Sequence, residues 1–144
     1  MIETVRIEQW LCSLLTGDAG TGGVKTLTGG RIYAYQAPEG VAFPFVVYSR
    51  QAGHDVMGVG AARIMASEVY QVKVVGKGAT VSFGTVKAIA DRIDELLQGA
   101  SGSVVDGQIL SCVREQGISY VENSGLDVYS HLGGLYRIQV QPII

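Results

Sequence analysis

Charge is scarce in this chain. Asp, Glu, Lys and Arg make up 17% of its 144 residues, the formal net charge is −2, and lysine and arginine form no run. A nucleic-acid-binding module normally shows a basic patch or a recognisable motif. Neither is present, so only dispersed charges gathered by the fold would supply a basic face. No apolar stretch reaches about 18 residues, and no transmembrane helix is expected. The first residues include Glu3 and Glu8 and lack a basic segment ahead of an apolar run, so they do not read as a secretory signal.

The residues of catalysis and metal binding are equally thin. His54 and His131 are the only histidines, Cys12 and Cys112 the only cysteines. A zinc site needs such residues joined at short spacing, and these four are isolated. His54 reads as a solvated loop residue and His131 as a polar residue ahead of a strand. One disulfide between the cysteines is possible, but a reducing cytosol and two buried thiols are the expectation. The segment Gly58-Val59-Gly60-Ala61-Ala62-Arg63 lacks the third glycine of a dinucleotide fingerprint and opens no helix. Gly76-Lys77-Gly78 lacks the spacer and ending of a phosphate-binding loop. Both read as turns. A Ser-His-Asp set could still assemble from distant positions, but no Gly-x-Ser-x-Gly elbow supports one. Asp91, Asp94 and Glu95 offer carboxylates to a divalent cation, yet read as the solvated face of a helix. The expectation is no catalytic residue, no cofactor and no metal.

What the chain does have is apolar residues, 47%, and 20 glycines, about twice the usual share. A single domain over residues 1–144 follows from the length, large enough to bury roughly 68–70% of its unfolded surface. Many glycines imply many turns and hairpin tips. Low charge with a mean hydropathy of +0.27 hints that some apolar surface meets other subunits. Seven tyrosines against one tryptophan fit cross-strand packing, or an interface, where tyrosine is enriched.

Periodicity predicts the elements. Ile7, Trp10, Leu11, Leu14 and Leu15 share one face of a helix over 3–15, closed near Gly17. A flexible loop follows over 18–23. Strands are predicted over 31–35 and 45–51, the second launched by Pro44, which lacks an N–H and suits a strand's start. Residues 52–63 read as a long, mobile hairpin tip, in which Val56, Met57 and Val59 are unusually apolar. A strand over 64–75 puts Tyr70, Val72 and Val74 on one face and Gln71 and Lys73 on the other. A second helix over 83–98 has Ser82 as N-cap, a stripe of Phe83, Val86, Ile89, Ala90, Ile93, Leu96 and Leu97, and Gly99 at its end. Strands over 108–115, 118–122 and 134–141 complete the chain. In the last, Tyr136, Ile138 and Val140 point inward, and Arg137, Gln139 and Gln141 outward. The fold class is therefore α+β: a mainly antiparallel sheet with one wet face, two amphipathic helices on the other, and a long β-hairpin. Trp10 and Ile93 are expected in the core.

The order of these pieces carries one more signal. An N-terminal amphipathic helix is followed by Gly30-Arg31-Ile32-Tyr33, Ala37-Pro38 and Phe43-Pro44-Phe45-Val46-Val47-Tyr48. Then come a long strand, a helix over 86–97 and a closing strand in His131-Leu132-Gly133-Gly134-Leu135-Tyr136-Arg137-Ile138-Gln139-Val140. Over residues 3–142 the chain resembles the tail-completion, or tail-terminator, proteins of long-tailed bacteriophages. The loop at 20–23 and the hairpin at 53–63 match no pattern of that family. The resemblance implies a non-enzymatic virion protein, made in the host cytoplasm, that assembles into a homohexameric ring. Such a ring caps the head-proximal end of the tail tube, ends its polymerisation and offers a surface to the head's connector or head-closure protein. Double-stranded DNA passes through the bore without sequence recognition, and no membrane is involved. The candidate contact residues are Val56, Met57, Val59, Arg63, Arg137 and Gln139. The competing readings are another head–tail ring, such as a head-closure or neck adaptor protein, and a small-ligand-binding α+β domain or enzyme. A closed ring requires two different patches of each subunit to meet.

Overall fold

The structure, a computed structural model, describes residues 2–60 and 62–142. In chain order its elements are α1 (Ile2–Thr16), α2 (Val24–Thr28), β1 (Ile32–Ala34), β2 (Phe45–Met57), β3 (Arg63–Lys77), α3 (Phe83–Leu97), β4 (Gly102–Val104), β5 (Gly107–Ser124) and β6 (Asp127–Pro142). The strands form one sheet in the order β1-β2-β3-β6-β5-β4. Only the β1–β2 pair is parallel.

The sheet is built on two hairpins, β2–β3 and β5–β6, joined side by side through β3 and β6. Alternation sets its faces. Tyr70, Val72 and Val74 of β3 and Tyr136, Ile138 and Val140 of β6 are buried, as their spacing predicts. They meet Ile7, Leu11 and Leu15 of α1 and Val86, Ile89, Ile93 and Leu97 of α3 in one cluster. Each fully buried Ile, Leu or Val of that set contributes about 1.5–3 kcal/mol. Ser82 caps α3 by accepting from the Thr85 amide at 3.2 Å, and Gly99 follows its end with φ 78°. Within the stripes Leu14, Ala90 and Leu96 are half-buried, and Phe83 departs furthest. Phe83, in the first turn of α3, is 56% exposed. Trp10 is half-buried at the core's margin, beside Gly102.

Several expectations are corrected. The strands expected over 108–115 and 118–122 are one strand, β5. The bulge between Arg114 and Gln116 absorbs the break in alternation that made them look separate. The strand expected over 134–141 begins at Asp127, since the preceding residues return as a hairpin through Gly125 and Leu126. Gly125 takes φ 64°, as the first place of a tight primed turn demands. The long tip expected over 52–63 is mostly strand. β2 runs to Met57 and β3 starts at Arg63, and Gly58 N donates to the Ala62 carbonyl just beyond the paired residues. The loop over 18–23 leads into a short helix, α2. Asp18 pins it, accepting from the Val24 amide at 2.8 Å and from Arg92 of α3 at 2.8 Å through both oxygens. Cys112 is buried but Cys12 is exposed, and both are free thiols.

Candidate functional site

The two hairpins point to opposite ends of the sheet. β3 pairs with β6 from Ala66 to Lys77, so the part of the β2–β3 hairpin before Ala66 extends beyond its neighbours. At the other end, β5 and β6 remain paired to Ser124 and Asp127, past the last β3 partner at Tyr129. Along a strand the length of β3, the two tips lie roughly 45–50 Å apart.

The first pole begins at a bulge between Arg50 and Ala52. There Glu68, 5% exposed, accepts from Arg50 Nε at 2.6 Å. Gly53 stands opposite Glu68 in the register. A Cβ at Gly53 would fall inside the Glu68 carboxylate and within 2.8 Å of Arg50 Nη2. Beyond this pair, Val56 is half-buried, Met57 is 50% exposed and Val59 is fully exposed. Arg63 reaches Asp55 across the hairpin at 3.5 Å. On the outer face of the sheet, away from the helices, Arg137 is fixed by Glu115 and by Ser67 Oγ at 2.8 Å. Gln139 accepts from Ser111 Oγ at 3.4 Å. Val56, Met57, Val59 and Arg63 therefore gather at one tip, whereas Arg137 and Gln139 lie opposite Val69 and Ser67 near the hairpin's base.

The second pole was not among the sequence candidates. Leu126 is fully exposed there, with Val121 and Val128 also largely uncovered. Behind the tip, His131 stacks on Tyr120 with ring centroids 4.4 Å apart. Its Nε2 meets Glu122 Oε1 at 3.0 Å, and Lys73 Nζ donates to the Tyr120 hydroxyl at 2.8 Å. His131 is buried within β6, not a polar residue ahead of a strand, and its Nδ1 has no hydrogen-bond partner among the described residues. Burial holds its pKa below the ordinary value, with Lys73 adding to that and Glu122 opposing it. Next to this pole, Phe45, Phe43 and Tyr129 form a chain of ring contacts at 5.3 and 5.6 Å. They line an open cleft of about 750 Å³ with Pro38, Val41 and Lys77.

Elsewhere, polar groups serve packing. Glu8 accepts from Tyr70 at 2.8 Å and from Tyr35 at 2.9 Å, tying α1 to β3 and to the end of β1. Burial and then Glu8 push the Tyr70 hydroxyl above its usual range. Asp94 accepts from Tyr136 at 2.9 Å, and Arg92 is held by Asp18 and Glu95. The α3 carboxylates are thus tied down, and among the described residues no group of three metal-ligating side chains converges. His54 is exposed on β2.

A family model described as tail completion protein gp17 matches residues 11–141. The chain belongs to that family. It is a structural component of a phage-like virion tail and not an enzyme. A chain of a solved structure titled "Virion of native gene transfer agent (GTA) particle" shares the fold. Its TM-score is 0.67 at 18% identity, over 91% of each chain. Comparison with curated proteins gave no match.

Proposed function

We propose that this tail completion protein forms a ring, with six copies, on the head-proximal end of the tail tube. There it ends tube polymerisation and presents a surface to the head's connector. The observation that carries this reading is the family match over nearly the whole chain. The shape of the subunit supports it. A cap must contact the tube on one side and the neck on the other, and the exposed apolar tip at Leu126 stands at one end of the sheet, away from the β2–β3 hairpin at the other. The bore admits double-stranded DNA by its width, with no base readout. The work is done by surface complementarity, without turnover.

Electron microscopy of particles assembled without the protein tests this reading. Overlong tails lacking heads are expected. Tails of normal length that fail only to join heads would make the protein a neck adaptor, and infectious particles of normal form would refute both.

A further inference from the structure

Two stretches of sheet edge lie open. On one flank, β4 covers β5 only at Gly107–Ile109. Next along β5, the end of α3 takes over: Gly99 N donates to the Cys112 carbonyl at 2.8 Å, and Arg114 N donates to Gln98 Oε1 at 2.8 Å. Past the bulge after Arg114, residues 116–124 have no strand on that side among the described residues. On the other flank, β1 covers β2 only at Val46–Tyr48, and past the bulge after Arg50, residues 51–57 are likewise uncovered. The two open stretches are of similar length, and each starts at a bulge.

Exposed edges are normally blunted by lysine, proline or shortness, because free N–H and C=O groups template another strand. Residues 116–124 read Gln-Gly-Ile-Ser-Tyr-Val-Glu-Asn-Ser and 51–57 read Gln-Ala-Gly-His-Asp-Val-Met. Neither contains lysine or proline, and neither is short. Their directions also match. β2 and β5 are separated by β3 and β6, every step is antiparallel, and so β5 runs opposite to β2. Set side by side in the same orientation, β5 of one copy meets β2 of the next antiparallel.

We propose that the open edge of β5, residues 116–124, seats the β2–β3 hairpin of a second copy of this chain. This rests on the ring reading above and names the contact that closes it. The edge borders a cleft of about 450 Å³ on the helix side, lined by Phe83, Ala90, Gly117, Leu132 and Tyr136. On that side it receives the apolar side chain of Met57 from the incoming hairpin, while Val56, next along the strand, falls on the outer face. The exposed Phe83 gains a partner. The open part of β5 lies toward the Leu126 end and that of β2 toward the Met57 end. Each copy is therefore stepped along the strand relative to the last, and strands in the closed ring are inclined, as closure of a sheet requires. The contact joins two different patches, so it propagates around a ring and does not stop at a symmetric dimer.

The test uses two variants of the full chain. A Cβ at Gly117 meets nothing within 4 Å, so Gly117→Lys leaves the subunit folded while placing a charge in the cleft. Met57→Lys spoils the hairpin side. Native mass measurement should show each variant alone as monomer at concentrations at which wild type forms rings, with assembly weakened at least tenfold. Mixed one to one, the two variants should give a heterodimer and nothing larger, because each retains one intact surface. Hydrogen exchange provides a second measurement: amides in 51–57 and 116–124 should gain protection on ring formation in wild type. Wild-type rings that survive Gly117→Lys, a mixture that yields no heterodimer, or unchanged exchange at both edges would overturn the edge pairing and leave the ring reading intact. A wild-type chain that forms no closed oligomer, alone or on tail tubes, would instead sink the ring reading itself.

Discussion

Replacing Gly53 by alanine should destabilise the subunit, although the usual effect of this change in a strand is the reverse. Glycine in a strand interior loses more backbone freedom on folding than alanine, a penalty of roughly 0.5–1 kcal/mol that the substitution removes. At this position the new methyl would occupy the place of the Glu68 carboxylate, which is 5% exposed and bonded to Arg50 at 2.6 Å. The carboxylate must swing away from its partner, and a buried charged group left short of hydrogen bonds costs about 1–3 kcal/mol. The second effect outweighs the first, for a net loss of about 1–2 kcal/mol. Urea unfolding of the monomer, in the Gly117→Lys background if rings interfere, measures it as a lower midpoint at constant slope. The cause is isolated by a double-mutant cycle. In a Glu68→Ala background the obstruction is gone, and Gly53→Ala should be neutral or slightly stabilising. An equal penalty in both backgrounds would refute the reasoning, because it would trace the loss to the backbone and not to the ion pair.

Three further outcomes are expected. Ile93→Ala should cost about 2–5 kcal/mol, and Trp10→Ala, at a half-buried site, about 1–3 kcal/mol; urea midpoints rank them, and a larger loss at Trp10 would contradict the placement of α1. A thiol reagent should label one cysteine per native chain and two after unfolding, since Cys12 is exposed while Cys112 is buried with its thiol pushed up to about 12. His131 is held neutral below its ordinary value of 6.5, so the unfolded chain takes up its proton first as pH falls. The stability this histidine confers is whole above pH 6.5 and declines as pH falls through 6.5 toward the folded value; His131→Phe should flatten that part of the midpoint-against-pH curve, and an unchanged curve would place the titration elsewhere.

What the sequence made legible was what one face of one element determines. The stripe of α3 and the alternation of β3 and β6 each repeat with a period that only one structure satisfies, and Tyr70, Tyr136 and Ile93 are buried accordingly. What it concealed depends on residues far apart in the chain. The bulge after Arg114 shifts the alternation, so one strand read as two. Past that bulge nearly every residue of β5 is exposed, so its half of the hairpin carries no alternation. Asp18 and Arg92, 74 positions apart, turn a glycine-rich stretch into a pinned loop. The candidate contacts were half legible. Val56, Met57 and Val59 stood out as apolar residues among glycines, but the edge at 116–124 is defined by which strands are missing beside it, and no local pattern reports that.

The extent of the β2–β3 ladder also bears on whether the tip is fit to join subunits. Were 53–63 a mobile loop, ordering eleven residues on assembly would cost about 11–22 kcal/mol of backbone entropy, at about 1–2 kcal/mol each. Because β2 and β3 stay paired to Met57 and Arg63, at most five residues lie outside the ladder, and ordering them would cost about 5–10 kcal/mol by the same measure. The difference is as large as the whole stability of a small domain. An interface of two or three apolar side chains and a strand's worth of hydrogen bonds can offset the smaller figure and not the larger. The Arg50–Glu68 pair at the root of the hairpin, and the Arg137–Ser67 contact beneath it, hold the ladder in place before any partner arrives. The buried charge at Glu68 is thus placed where it sets the direction of an arm, and loosening it through Gly53→Ala should weaken assembly by more than the loss in subunit stability explains.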